Sequence, residues 1–188
     1  MQLDGNDDEI LMARIASGNQ LAFASLVERY TNRAYAAAWR ILNGSADAED
    51  VVQEVFTRLW VHAPSWDAGK AKFSTWFYRI LLNACIDHKR KRVNLPLDVI
   101  DEPQDATPSI EQRLVQDQLA LHVAAQVHAL PERQRLAILL CYFEGLSNQE
   151  AAEIMQLHIK ALEALLVRAR KTLHLTLASL MQNEREAV

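Results

Sequence analysis

Glycine and proline are scarce in this chain, with five of each in 188 residues. That is too few for the many turns of an all-β fold. Ala, Leu, Gln, Glu and Arg dominate instead, and all of them favour helices. Cysteine is scarcer still. Cys85 and Cys141 stand at a separation that fits no metal or redox motif, and both sit in apolar helical stretches, so buried thiols are expected. The start, Met1-Gln2-Leu3-Asp4, is acidic and has neither the basic nor the apolar part of a signal peptide. No apolar run approaches the ~20 residues that span a bilayer. A cytoplasmic protein without direct membrane insertion is expected. Catalytic constellations are missing as well. The six histidines are scattered, no glycine-rich phosphate loop is present, and the Ser, Cys and acidic positions form no triad pattern. No enzyme, cofactor or metal site is expected.

What is present is a folding composition, 50% hydrophobic and 23% charged. The net charge of −4 argues against a nucleic-acid partner until the charges are mapped. From Lys70 to Arg92 there are seven Lys or Arg against one acid, Asp87. From Asp98 to Asp117 there are six acids against one base, Arg113. The total hides a basic surface and an acidic one.

Helical periodicity runs through nearly the whole chain. A first helix is expected over about Asp7–Ser17 and a long one over Gln20–Leu42. The apolar face of the second carries Phe23, Leu26, Val27, Tyr30, Ala34, Ala37, Ala38 and Ile41. Asn43-Gly44 ends it. Ser45 is expected to cap a third helix with Asp47, Glu49 and Asp50 in its first turn and a stripe of Val52, Val55, Phe56, Leu59 and Trp60. Pro64–Lys70 reads as a loop. A fourth helix over Lys72–Arg92 turns Phe73, Trp76, Phe77, Ile80 and Ala84 inward, and lines up Thr75, Arg79, Asn83, Ile86 and Arg90 on a mostly polar side. Between Leu95 and Pro108 the pattern vanishes into three prolines and four acids, as in a solvated linker. Helices resume over Ser109–His128, from Leu130-Pro131 to Gly145, over Ser147–Met155, and from Ile159 past Leu180. The expected fold is all-α: two small helical domains, 1–94 and 118–188, joined by an acidic, proline-containing linker at 95–117.

Two segments carry chemistry. Ser147–Arg170 has the layout of a helix-turn-helix, with small Ala152 where the helices cross and a turn at Gln156-Leu157-His158. Its second helix has core positions at Leu162 and Leu165 or Leu166 and solvent positions at Lys160, Ala161, Glu163 and Ala164. Arg168, Arg170 and Lys171 are placed to reach phosphates. An ordinary packed helix pair explains the same spacing equally well. The second segment sets Trp66, Phe73, Trp76, Phe77 and Tyr78 among Lys70, Lys72, Arg79 and His88-Lys89-Arg90-Lys91-Arg92. Cations interleaved with rings suit single-stranded nucleic acid, where each stacked base contributes roughly 1–3 kcal/mol. The alternative puts Phe73, Trp76 and Phe77 in the core and makes the basic run a solvated helix end.

Taken in order, these segments resemble one family. Asp47-Ala-Glu-Asp-Val-Val-Gln-Glu-Val-Phe-Thr-Arg-Leu-Trp60 is similar to the polymerase-binding helix of the sigma-70 superfamily. Phe73-Ser-Thr-Trp-Phe-Tyr-Arg-Ile-Leu-Leu-Asn-Ala-Cys-Ile-Asp87 and the basic residues after it resemble its promoter-opening helix. Leu130-Pro-Glu-Arg-Gln-Arg135, Tyr142-Phe-Glu-Gly-Leu-Ser-Asn-Gln-Glu-Ala-Ala-Glu-Ile154 and Leu165-Leu-Val-Arg-Ala-Arg170 resemble its C-terminal promoter-binding domain. With just these two domains, the chain resembles the extracytoplasmic function (ECF) sigma factors. The resemblance implies a transcription initiation factor that binds core RNA polymerase through the β′ clamp helices and the β subunit, and binds and opens promoter DNA. It also implies an anti-sigma factor that holds the protein inactive, often membrane-anchored.

The resemblance assigns Asp50, Gln53 and Glu54 to the β′ clamp helices. It assigns Ser65, Trp66, Lys70, Lys72, Arg79, Asn83, Lys89 and Arg90 to the minus-ten element, where the 64–70 loop would take a flipped base. His158, Lys160, Ala161, Glu163, Ala164, Arg168, Arg170 and Lys171 go to the minus-thirty-five element. The linker acids are then either mimics of nucleic acid in the polymerase channels or solubilisers. One departure stands out: many relatives carry Lys-Ser-Arg where this chain has Glu163-Ala164-Leu165. Two other readings remain at this point. A conventional regulator with a sensing or dimerising N-terminal half explains the helix-turn-helix but gives the third and fourth helices no purpose. A helical adaptor without DNA leaves the basic run at 88–92 unused.

Overall fold

A computed structural model describes residues 5–44, 46–93 and 123–186. All regular structure among the described residues is helical, as expected. The chain divides into two compact units, Met1–Pro103 and Gln104–Val188. The expected linker, the beginning of the helix expected from Ser109, and the expected cap Ser45 lie outside the described residues.

The first unit contains α1 (Gly5–Ala16), α2 (Gln20–Ile41), α3 (Ala48–His62), a single 3-10 turn (Ala63–Ser65) and α4 (Phe73–Val93). α3 packs on both α2 and α4, while α1 packs on α2, α4 and the 3-10 turn. Asn19 starts α2 by accepting a hydrogen bond from Ala22 N at 3.0 Å. Asn43 and Gly44 stop it in the left-handed region, at φ 64° and 77°. A Cβ at Gly44 would rest against the Trp39 ring at 3.4 Å in ordinary contact, so it is the positive φ that favours glycine there. Leu26, Val51, Val55, Leu59, Phe77 and Leu81 are fully buried where the helices meet. Each such side chain contributes about 1.5–3 kcal/mol relative to exposure.

Several side chains depart from the expected faces. Phe23, Val27, Trp60, Trp76 and Ile80 are half-buried, whereas Thr75, expected on the polar side of α4, is 2% exposed. Thr75 lies two residues after Phe73, near the end of α4 that enters the aromatic core, so its face turns inward there. α3 has Asp47 at its cap position, but the Asp47 side chain makes no capping bond. It turns to α4 instead, with Oδ2 3.0 Å from Nε2 of His88. Cys85 is buried, as expected, and Cys141 is only half-buried.

A polar cluster keys α1 to α2. Asp8 is 3% exposed, yet its carboxylate accepts from Tyr30 Oη at 2.5 Å and pairs with Arg29 at 2.6 Å. The Tyr30 ring meets Phe73 edge-on and leans on Phe77, so one residue joins the polar key to the aromatic core. Burial, and then the neighbouring Asp8, push the Tyr30 phenol above its ordinary range.

The second unit contains α5 (described over 123–129), α6 (Glu132–Ile138), a π turn (Leu139–Phe143), α7 (Asn148–Ile154) and α8 (Ile159–Glu186). Pro131 occupies the cap position of α6, so the helix starts at Glu132, just after the expected Leu130-Pro131. Its missing N–H costs no helical bond there. Arg135, buried in α6, donates through Nη1 to His128 O at 2.9 Å and so ties the end of α5 to α6. The π turn closes with Glu144 N donating to Leu139 O at 3.0 Å. It keeps Leu139 and Leu140 buried while leaving Tyr142 and Phe143 exposed.

Candidate functional site

On α3, Asp50 and Gln53 are exposed and Glu54 is half-exposed, while Val51, Val52, Val55, Phe56 and Leu59 are buried behind them. Spacings of three and four residues put the polar three on one face. Glu54 pairs with Arg58 at 2.6 Å, and the same Arg58 nitrogen lies 3.6 Å from Asp87 of α4. Beside this face runs a groove of about 780 Å³ between α2 and α3. Phe23, Val27, Phe56 and Trp60 supply its apolar wall, with Gln20, Gln53 and Thr57 at its polar positions. The Phe23 ring stands edge-on to Trp60 at 5.0 Å. Gln53 therefore belongs both to the acidic face and to an apolar groove. The α2 half of that groove is absent from the sequence reading, which places Phe23 and Val27 in the core. Their position one step off the Leu26–Tyr30 line is the available hint.

The 64–70 segment is built around Asp67, which the sequence reading passes over. Gly69 N donates to Asp67 Oδ1 at 2.9 Å, Lys70 N donates to Asp67 O at 3.0 Å, and Lys70 Nζ lies 3.5 Å from Asp67 Oδ2. Lys70 remains largely exposed in this pair. Ser65 is exposed, but its hydroxyl donates to His62 O at 2.7 Å. Trp66 is half-buried and meets Phe73 edge-on at 6.4 Å. Its indole Nε1 is buried without a protein hydrogen-bond partner. Lys72 is exposed at the threshold of α4, where its carbonyl accepts from Trp76 N.

Along α4, Asn83 and Arg90 are exposed and Arg79 and Lys89 half-buried. Arg79, Asn83 and Arg90 share a face, with Ile86, 38% exposed, among them. The aromatics divide. Phe73, Phe77 and Tyr78 are 2%, 0% and 3% exposed and pack with Tyr30 and Phe56, so they are core. That leaves Trp66 and Trp76 as the half-buried aromatic rings of this segment.

In the second unit the helix-turn-helix is formed. Ser147 and Glu150 make a reciprocal capping box on α7: Glu150 N donates to Ser147 Oγ at 3.2 Å, and Ser147 N donates to Glu150 Oε2 at 2.8 Å. Gln156 adopts φ 54° and closes the turn, with Leu157 N donating to Ala152 O at 2.8 Å. Gln156 thus takes the left-handed position that glycine often fills. Ala152, Ile154, Leu162, Leu165, Leu166 and Ala169 form the buried seam. His158, Lys160, Ala161, Glu163, Ala164, Arg168, Arg170 and Lys171 are all exposed. The Nε atoms of Arg168 and Arg170 donate to Ala164 O and Leu166 O, which lays both stems along α8.

Comparison with known proteins fits this geometry. The family description Sigma-70 region 2 matches residues 26–94, and Sigma-70, region 4 matches residues 123–173. The chain is 31% identical over 185 residues to the ECF RNA polymerase sigma factor SigW of Bacillus subtilis (strain 168), covering 89% of this chain and 95% of that one. It is 31% identical over 177 residues to the ECF RNA polymerase sigma-E factor of Escherichia coli (strain K12), covering 88% and 92%. Among solved structures, CnrH in complex with the cytosolic domain of CnrY superposes with a TM-score of 0.68 at 32% identity, over 92% of this chain and 98% of that one.

Proposed function

The chain belongs to the ECF sigma factors of the sigma-70 family, and from that premise we propose how its surfaces divide the work of initiation. It is a transcription initiation factor that binds core RNA polymerase, directs it to promoters and promotes their opening. Residues 1–94 act as the docking and opening domain, 95–117 as the linker and 118–188 as the upstream-recognition domain. Asp50, Gln53 and Glu54, with the groove beside Gln53, receive the β′ clamp helices of the polymerase. Ser65, Trp66, Lys70, Lys72, Arg79, Asn83, Lys89 and Arg90 hold the opened minus-ten element: cations take phosphates, and Trp66 or Trp76 offers a ring to an unstacked base. Extracting a base costs a few kcal/mol, so a few contacts of this kind hold a short bubble without ATP.

The first turns of α8 enter the major groove at the minus-thirty-five element through His158, Lys160, Ala161, Glu163 and Ala164, with Arg168, Arg170 and Lys171 toward the backbone. The protein works in the cytoplasm and has no catalytic activity of its own. Among the described residues no helix is long and apolar enough to cross a membrane. An anti-sigma factor, of the membrane-anchored kind the family resemblance implies, covers these surfaces until a signal releases it. The complex of CnrH with a cytosolic domain supports a protein partner of that sort.

The observation that carries the reading is the packing of α3 on α4. One helix turns carboxylates outward and its neighbour turns out cations and amides, so polymerase and DNA find separate faces of one rigid unit. Run-off transcription with purified core polymerase and genomic fragments tests it. Discrete start sites that core alone does not select are expected, and transcripts no different from core alone would refute the assignment.

A further inference from the structure

Resting on the reading that α3 docks polymerase and α4 faces the promoter, we propose that Arg58 is a positioning residue that couples docking to opening. Its Nη2 stands between the two helices, 2.6 Å from Glu54 Oε1 on the docking face and 3.6 Å from Asp87 Oδ2 on the opening helix. The three side chains are 32%, 39% and 47% exposed, so water softens both pairs and partners exchange at little cost.

Asp87 is the feature that needs a counter-charge. It is the single acid among seven cations from Lys70 to Arg92. It lies four residues after Asn83 and three before Arg90, one helical turn from each. A bare carboxylate there repels DNA phosphate and draws Arg90 or Lys91, at three and four residues' distance, away from the DNA. Arg58 supplies the counter-charge from the neighbouring helix, outside the basic run. When a cationic group of the polymerase captures Glu54, the guanidinium loses its closer partner and shifts onto Asp87. Docking thereby screens the one acid on the DNA face and fastens α4 to α3.

The test compares variants of the full-length chain with core polymerase, reading core affinity by competition binding and opening by permanganate reactivity of the minus-ten thymines. Arg58→Gln is expected to leave core affinity unchanged or raise it by up to roughly threefold, because Glu54 no longer leaves an internal partner. Opening is expected to fall by roughly fivefold and to recover on a promoter with a pre-melted bubble. Adding Asp87→Asn to Arg58→Gln removes the bare acid and is expected to restore most of the opening. Arg58→Lys keeps the charge and should stay within roughly twofold of the parent in both readouts. A merely structural role would lower affinity and opening together. That result, or a double variant that opens no better than Arg58→Gln, would overturn the proposal. A parent chain that neither binds core nor opens promoters would sink the functional reading itself, so the two failures are distinguishable.

Discussion

The Asp8 cluster yields the sharpest stability prediction, because its geometry separates a buried interaction from a decorative neighbour. Asp8 and Asp7 are adjacent acids in the first turn of α1, and both approach Arg29. Asp8 is 4% exposed in its side chain and lies 2.6 Å from the guanidinium, while Asp7 is 63% exposed at 4.0 Å. Asp8 also accepts the Tyr30 hydroxyl. Hydrogen bonds to a charged group contribute about 1.5–3 kcal/mol each, and breaking a buried pair costs about 3–5 kcal/mol. Arg29 is 29% exposed and recovers some hydration, so Asp8→Ala should cost about 3 kcal/mol, near the lower end. Tyr30→Phe should cost about 1–2 kcal/mol, and the double variant less than the sum, since both remove one bond. Asp7→Ala serves as the control, with no measurable change. All four tryptophans (Trp39, Trp60, Trp66 and Trp76) fall in the first unit, so their fluorescence in urea follows that unit alone. With a slope of roughly 2 kcal/mol per molar urea, Asp8→Ala should lower the midpoint by about 1.5 M. Equal shifts for Asp7→Ala and Asp8→Ala, or strict additivity of Asp8→Ala with Tyr30→Phe, would refute the cluster as the lock between α1 and α2.

Tyr30 gives the same lock a pH signature. Its phenol is raised on folding, so below the ordinary tyrosine range near 10 both states hold the proton and stability is unaffected. Above about pH 10 the unfolded chain releases the proton that the folded chain keeps, and stability should fall with rising pH. Absorbance of tyrosinate should show a rise that accompanies loss of the fold, and in a Tyr30→Phe chain that rise should be smaller by one residue. The thiols should divide under a disulfide reagent at pH 8. Burial pushes Cys85 up to about 12 and raises the half-buried Cys141 less. At most one thiol per native chain, lost in Cys141→Ser, should react slowly, against two in urea; prompt reaction of both in the native protein would contradict the packing around Cys85. Glu163→Lys in the holoenzyme should tighten upstream DNA, steepen the salt dependence by about 0.9 in log–log slope for each phosphate gained, and weaken sequence discrimination. Unchanged footprints and affinities would remove Glu163 from the interface.

Much of this architecture is legible in the sequence because local rules decide it. The stripe of α2, the Asn43-Gly44 stop, the capping box of α7 and the Leu162–Ala169 seam follow from three- and four-residue periodicity and side-chain-to-backbone bonds. What escapes depends on which helices meet. Asp8 and Tyr30 are 22 positions apart, and nothing local says that this first-turn acid is buried while Asp7 is not. Arg58 looks like an ordinary i,i+4 partner of Glu54 until α4 brings Asp87 alongside. Phe23 and Val27 fit an apolar stripe, but whether a stripe edge is core or groove wall depends on how far the next helix stands away. Thr75 shows the converse, a polar residue whose neighbours pull it inward. For the site residues, exposure at the expected faces of α3, α4 and α8 follows from pattern, whereas their roles come through the family resemblance.

The charge map gives the arrangement its logic. A protein that directs polymerase to promoters gains from carrying its cations and acids on separate faces. The acids of α3 and those of Asp98–Asp117 leave the chain at −4, so at distances beyond about 8–10 Å in physiological salt a duplex meets no net attraction. Close contact is another matter, because α4 and α8 present cations locally. On the proposed docking, polymerase engagement at Asp50 and Glu54 would neutralise acids near α4 without touching its cations. The local field at α4 would therefore turn more positive on docking, though no residue of α4 changes. On the proposed coupling, Arg58 would transmit that change by contact as well as by field, since it shares one guanidinium between Glu54 and Asp87.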